Sequence, residues 1–81
     1  MRVTVLLFGR LHDLAGLREL ECEVPREAAV SAVWQAVTGR FPAVAPYARS
    51  VSAAVNAEFV KMTTAVDEGD EVAFLPPVAG G

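Results

Sequence analysis

The sequence predicts an α+β domain in which a mixed sheet carries one main helix packed on one face. Three observations predict it. Short runs of alternating apolar residues recur along the chain, one stretch alone spaces its apolar residues as a long helix does, and the first and last runs are apolar on both faces. A strand apolar on both sides is covered on both sides, so the first and last strands belong next to each other at the centre of the sheet.

Residues 3–8 read V-T-V-L-L-F, with Val3, Val5 and Leu7 on one side, Thr4, Leu6 and Phe8 on the other, and Gly9 ending the run. Leu11 and Leu14 stand three apart before Gly16, enough for a single helical turn closed by glycine. In residues 19–24, Leu20, Cys22 and Val24 alternate with Glu19, Glu21 and Glu23, the pattern of a half-exposed strand with an acidic outer face, ended by Pro25. Val30, Val33, Trp34, Val37 and Phe41 then form one helical stripe, which Gly39 and Pro42 are expected to stop. Its start is poorly signalled, because Ala29 has no capping side chain and Ser31 falls just inside. A further short turn is expected around Pro46, within residues 43–49. Residues 52–57 read as a third strand, followed by a turn near 56–58 and a brief strand at 59–61. The D-E-G-D run at 67–70 is a turn, and residues 71–75 make the last strand, with Val72 and Phe74 on one face and Ala73 and Leu75 on the other. This order is the pattern of a ubiquitin-like β-grasp, with the domain over residues 1–75 and an extended tail over 76–81.

Eighty-one residues allow one domain, and a fold of that size buries only roughly 60% of the surface of its unfolded chain. Cys22 is the only cysteine, so no intrachain disulfide can help, which points to a reducing, cytoplasmic home. The core must come from apolar side chains, and a hydrophobic content of 53% supplies it with a surplus. That surplus predicts an exposed apolar patch covered by a partner. Ten acidic against seven basic residues give a net charge of −3, which argues against nucleic acid and anionic membrane as partners. No apolar run approaches the ~20 residues of a membrane span, and the run after Arg2 is too short and too β-branched for a signal peptide.

After Leu75 the chain reads P-P-V-A-G-G. Pro76 and Pro77 lack amide hydrogens, so the ladder cannot continue through them, and their fixed φ favours an extended exit. Fully stretched, the tail reaches about 20 Å. Pro76, Pro77, Val78 and Ala79 form a stiff stalk, while Gly80 and Gly81 present a carboxylate with no side chain near it. A narrow tunnel in another protein could admit such a tip, where any Cβ would clash. Frayed ends also carry terminal glycines, so the residues before them decide the matter.

The run E-G-D-E-V-A-F-L-P-P-V-A-G-G, from Glu68 to Gly81, resembles the C-terminus of the MoaD family of sulfur carriers, the small subunits of molybdopterin synthase. Two more segments agree: the opening V-x-L-L-F-G-x-L-x-x-L-x-G, around Val5 to Leu17, and A-A-V-N-x-x-x-V, from Ala53 to Val60. Together they span the chain. Two departures are Ala29, where relatives often carry a capping Thr, and Gly9, where they often carry Ala; neither touches the family's chemistry.

The resemblance implies that an E1-like adenylating enzyme activates the Gly81 carboxylate with ATP as an acyl-adenylate. Sulfur from a persulfide donor then replaces AMP to leave a thiocarboxylate. Making AMP the leaving group turns a poor electrophile into one that sulfur can attack. The thiocarboxylate would give its sulfur to cyclic pyranopterin monophosphate inside the large synthase subunit, in a heterotetramer of two small and two large subunits. On this reading the chain binds no cofactor of its own, carries AMP and sulfur only transiently on Gly81, and is not an enzyme by itself.

Strand parity points to a docking surface. Phe8, Leu75 and Leu6 face away from the inward sets of the two central strands, and Phe59 has no evident core slot. The four make a candidate partner-binding patch on the sheet face opposite the helix, beside the tail exit, where the family docks its large subunit and its activating enzyme. The remaining chemistry-bearing residues have plainer readings. Cys22 falls on an inward face and reads as core, as does Trp34 on the helix stripe. His12 has no second ligand at metal spacing, and Asp67, Glu68, Asp70 and Glu71 read as a charged hairpin turn and not as a cation site. Lys61, the only lysine, has no assigned role. Three functions stay open: the molybdopterin synthase small subunit, a related sulfur carrier for thiamine, tRNA thiolation or protein conjugation, and a non-catalytic β-grasp interaction module.

Overall fold

The computed structural model of the chain describes residues 1–77. Strands β1 (Arg2–Leu7), β2 (Glu19–Glu23), β3 (Ser52–Val55), β4 (Glu58–Val60) and β5 (Glu71–Leu75) form one sheet in the order β2-β1-β5-β3-β4. β1 and β5 run parallel and side by side, as their two apolar faces require, and the other pairings are antiparallel. Two α-helices, α1 (Gly9–Ala15) and α2 (Val30–Arg40), and a 3-10 helix over Pro42–Tyr47 complete the β-grasp.

Alternation places the core. Val3, Val5, Leu7, Val72 and Phe74 are wholly buried, and Leu20 and Cys22 of β2 join them. Against this face α2 lays Val30, Val33, Trp34 and Val37. The Trp34 and Phe74 rings meet edge to face, 5.0 Å apart at 61°, a contact worth about 0.5–1.5 kcal/mol beyond the area it buries. The weakly signalled start of α2 is held from outside. Ala29 offers no side-chain cap. Instead the Val30 and Ser31 amides donate to the carbonyl oxygens of Thr64 and Met62, both at 2.9 Å. Two amides that would be left over at a helix start are thereby satisfied by a distant loop.

Several boundaries differ from the sequence reading. Gly39 does not stop α2, which runs on to Arg40. Pro42 stops it, because the residue before a proline is pushed out of the helical region and Phe41 lies at φ −132° and ψ 78°. The expected turn around Pro46 is the 3-10 helix, and the expected single turn after Gly9 is the seven-residue helix α1, closed by Gly16 at φ +80°. β1 ends at Leu7, and Phe8 leaves the ladder to become the N-cap of α1. β2 ends one residue earlier than expected, at Glu23. β3 ends at Val55 and β4 begins at Glu58. Between them Asn56 and Ala57 both have positive φ, 50° and 70°, the geometry of the tight two-residue hairpin turn that matches the twist of its strands.

Candidate functional site: the tail root and the outer sheet face

The register carries the outer face from strand to strand. Leu6 pairs with Glu19 on β2 and Ala73 on β5, Ala73 pairs with Ala54 on β3, and Ala54 pairs with Phe59 on β4. One row across the sheet is therefore Glu19, Leu6, Ala73, Ala54 and Phe59. A step toward the tail, Leu75 lies beside Ser52 on β3, and the Phe8 amide donates to the Phe74 carbonyl oxygen at 3.2 Å. Phe59 is 72% exposed and Phe8 is 42% exposed, the only large hydrophobic side chains so open among the described residues. Leu6 and Leu75 are half-buried. Ala54 and Ala73 were not singled out by sequence, yet the alternation of β3 and β5 marks both. Ala73 and Ala54 stand between Leu6 and Phe59 in the row.

β5 delivers the tail at the edge of this face. Leu75 is its last ladder residue, and Pro76 follows half-buried, with Pro77 exposed. Pro76 lies against the start of α1: a Cβ added to Gly9 would stand 3.1 Å from Pro76 Cγ and 3.6 Å from Cδ. The expected functional residues Val78, Ala79, Gly80 and Gly81 lie outside the described residues.

The opposite end of β5 is polar and closed on itself. Asn56 Nδ2 donates to Asp70 Oδ1 at 3.0 Å, the Glu71 amide donates to Asn56 Oδ1 at 3.0 Å, and the Asp67 amide donates to Asp70 Oδ2 at 2.7 Å. The Arg2 amide donates to Glu68 Oε1 at 3.0 Å. These acidic residues thus fasten the turn to β1 and β3. Among the described residues no group of three His, Cys, Asp or Glu side chains could hold a metal ion. An open depression nearby, lined by Met1, Arg26, Glu27 and residues 65–68, is at this same end, away from the tail.

The other residues weighed in the sequence are placed as follows. Cys22 is buried, and burial pushes its thiol up from its ordinary value against the opposing pull of the Arg40 guanidinium. A thiol held protonated is a poor nucleophile. Trp34 is in the core, His12 is half-buried in the last turn of α1, and Lys61 is exposed just after β4. No helix among the described residues is long and apolar enough to cross a membrane.

Comparison with known proteins bears on this arrangement. A family model described as the ThiS family matches residues 5–81. The chain is 30% identical to the molybdopterin synthase sulfur carrier subunit of Homo sapiens, over 99% of this chain and 94% of that one. It is 35% identical to the protein of the same name from Escherichia coli, over 98% and 99% of the two chains. Among solved structures, SAMP1 of Haloferax volcanii superposes with a TM-score of 0.87 at 28% identity, covering both chains fully. A chain of the Amycolatopsis orientalis BexX/CysO complex gives 0.78 at 26% identity, over 98% of this chain and 99% of that one.

Proposed function

The chain belongs to the ThiS family, and from that premise we propose that it is the sulfur carrier of a molybdopterin synthase. The Gly81 carboxylate attacks the α-phosphate of ATP on an adenylating partner and releases pyrophosphate. The terminal sulfur of a persulfide then displaces AMP, and a thiol cleaves the resulting acyl disulfide to leave the thiocarboxylate. That sulfur passes to cyclic pyranopterin monophosphate in the large subunit, which holds the catalytic side chains. The chain supplies a docking face, a thin tail and the reacting carbonyl, and it acts in the cytoplasm.

The observation that carries this reading is the junction of β5 with the tail. A central strand ends at two prolines beside an exposed apolar row, and the sequence from there to Gly81 is P-P-V-A-G-G. A partner that grips Phe8, Leu6, Leu75 and Phe59 has the tail root fixed at the rim of its own surface. The similarity to SAMP1 and to the CysO complex favours a second reading, in which the same tail serves another sulfur-transfer or protein-modifying pathway.

The two readings share a first test. Intact mass of the chain is measured after incubation with its cognate adenylating enzyme, ATP and a sulfur donor. One oxygen exchanged for sulfur at Gly81 is the expected result, and its absence would overturn both. Addition of the large synthase subunit and cyclic pyranopterin monophosphate then separates them. Loss of the added sulfur with formation of molybdopterin supports the first reading, and retention of the sulfur supports the second.

A further inference from the structure

We propose that the end of the sheet from which the tail leaves is a cationic collar, which steers the chain tail-first onto an acidic rim of its adenylating partner. The inference rests on the sulfur-carrier reading and adds to it a charged surface beside the apolar docking row.

The net charge of −3 is an average over two unlike ends. Arg10 lies in α1, Arg18 just before β2, Arg49 three residues before β3, and Lys61 just after β4. The ladders bring all four to the tail end. The Leu7 amide donates to the Arg18 carbonyl oxygen at 2.8 Å. Ser52 at the start of β3 pairs with Leu75 at the end of β5, and Ala53 pairs with Val60, the residue before Lys61. All four cations are exposed. Among the described residues, Asp13 and Glu19 are the carboxylates of this end, so it carries two more basic than acidic side chains.

The far end is the reverse. Residues 23–27, 58 and 67–71 hold seven carboxylates against Arg2 and Arg26, an excess of five. The pairings of Arg2 with Glu23 and of Val55 with Glu58 fix these groups at the end opposite the tail. Glu21 and Arg40, between the two ends, cancel. Among the described residues the ion pairs join the Met1 amine and Arg2 to Glu21 and Glu23. None of them involves Arg10, Arg18, Arg49 or Lys61, so the collar's charge is spent on no carboxylate of the described chain.

Lys61 stands two residues past Phe59, and Arg10 two past Phe8. A partner that covers the two phenylalanines therefore meets the cations as well, and basic groups on its rim would oppose docking. The ends of β5 are roughly 15 Å apart, about twice the ~8 Å screening length at physiological salt, so an approaching partner responds to the nearer end. The unloaded tail bears only a carboxylate, which leaves the row and the collar to mark it for loading. A carrier that loads, departs and unloads gains from fast encounter, and steering quickens association without prolonging residence.

The test is stopped-flow association of the chain with its cognate adenylating enzyme between about 0.02 and 0.5 M ionic strength. The wild-type association rate constant is expected to fall at least about tenfold across that range. A combined Arg18→Gln, Arg49→Gln and Lys61→Gln variant should be about tenfold slower at the low end, nearly indifferent to salt, and equal to wild type at the high end. Its dissociation rate should stay within about threefold of wild type. Glu27→Gln, at the far end, should keep the wild-type slope. A wild-type rate that ignores salt or rises with it would overturn the inference. So would equal slopes in the triple variant and wild type, or a salt dependence seen only with the large subunit. Wild-type chain that is neither bound nor adenylated would instead overturn the sulfur-carrier reading.

Discussion

The two faces of the sheet are built from the same strands and differ in what depends on them. On the inner face Val3, Val5, Leu7, Val72 and Phe74 have no exposed surface. On the outer face Leu6 and Leu75 are half-buried and Phe59 stands open, with Phe8 exposed just past the end of β1. The inner set holds the domain together, since burying each such side chain is worth about 1.5–3 kcal/mol. The outer set stands outside the core cluster, and Phe8 and Phe59 leave apolar surface open to water. On the proposed function, this outer row is what the adenylating enzyme and the large subunit cover.

Breaking the inner face should give the largest effect. Phe74→Ala removes the partner of Trp34 and opens a cavity beneath α2, and a loss of about 3–5 kcal/mol is expected in chemical denaturation. For a domain whose whole stability is about 5–15 kcal/mol, that is a large fraction. A loss below about 1 kcal/mol would mean the core can collapse around the gap.

Charging the outer face should do the reverse. Phe59→Glu is expected to leave Tm within a few degrees and weaken binding to the adenylating enzyme by at least about tenfold in calorimetry. Phe8→Asp is the sharper variant. Phe8 is the N-cap of α1 and makes no side-chain cap, so aspartate there should stabilise the helix by about 0.5–2 kcal/mol while still weakening docking. Binding that survives both changes would remove the outer row from the docking surface.

Smaller gains should come from two positions that belong to neither face. Gly39 lies inside α2 with open space where a Cβ would stand, and Ala57 holds φ +70° in the β3–β4 turn. Gly39→Ala and Ala57→Gly should each raise stability by about 0.5–1 kcal/mol, for opposite reasons. Neither should alter partner binding.

The smallest effect concerns pH. Burial raises the Cys22 thiol pKa in the folded chain, so the folded state holds its proton while the unfolded thiol ionises. Cys22 therefore has no cost at neutral pH, and stability is lost as pH rises through the thiol range, above about pH 9. A Cys22→Ala variant should show a flatter decline there in pH-resolved denaturation. An identical slope would mean that the thiol is no more protonated in the fold than out of it.

Much of this organisation is legible in the residues. Period-two alternation identifies β1, β2 and β5, the i, i+3, i+4 stripe identifies α2, and two apolar faces put β1 beside β5. These signals are local and repeat over several residues, so each reinforces the next. The outer row follows from the same parity, as the complement of the inward set. Boundaries were less legible, because a single residue at an end has no such repetition. Gly39 reads as a stop until one sees that the helix is held by Val37 and that Pro42 ends it. Phe8 reads as strand until α1 needs a residue in front of it.

By itself the sequence determined the elements, their inward faces, the central pair of strands and the run of prolines and glycines after Leu75. Only the tertiary structure decided what distant backbone supplies. Thr64 and Met62 close the uncapped start of α2, Asn56 fastens the turn before β5, and the Pro76 ring rests on Gly9. Each of these joins residues far apart in the chain through a hydrogen bond or a van der Waals contact. Such contacts leave no periodic trace in composition or spacing, because their geometry exists only once the sheet and the helices have packed.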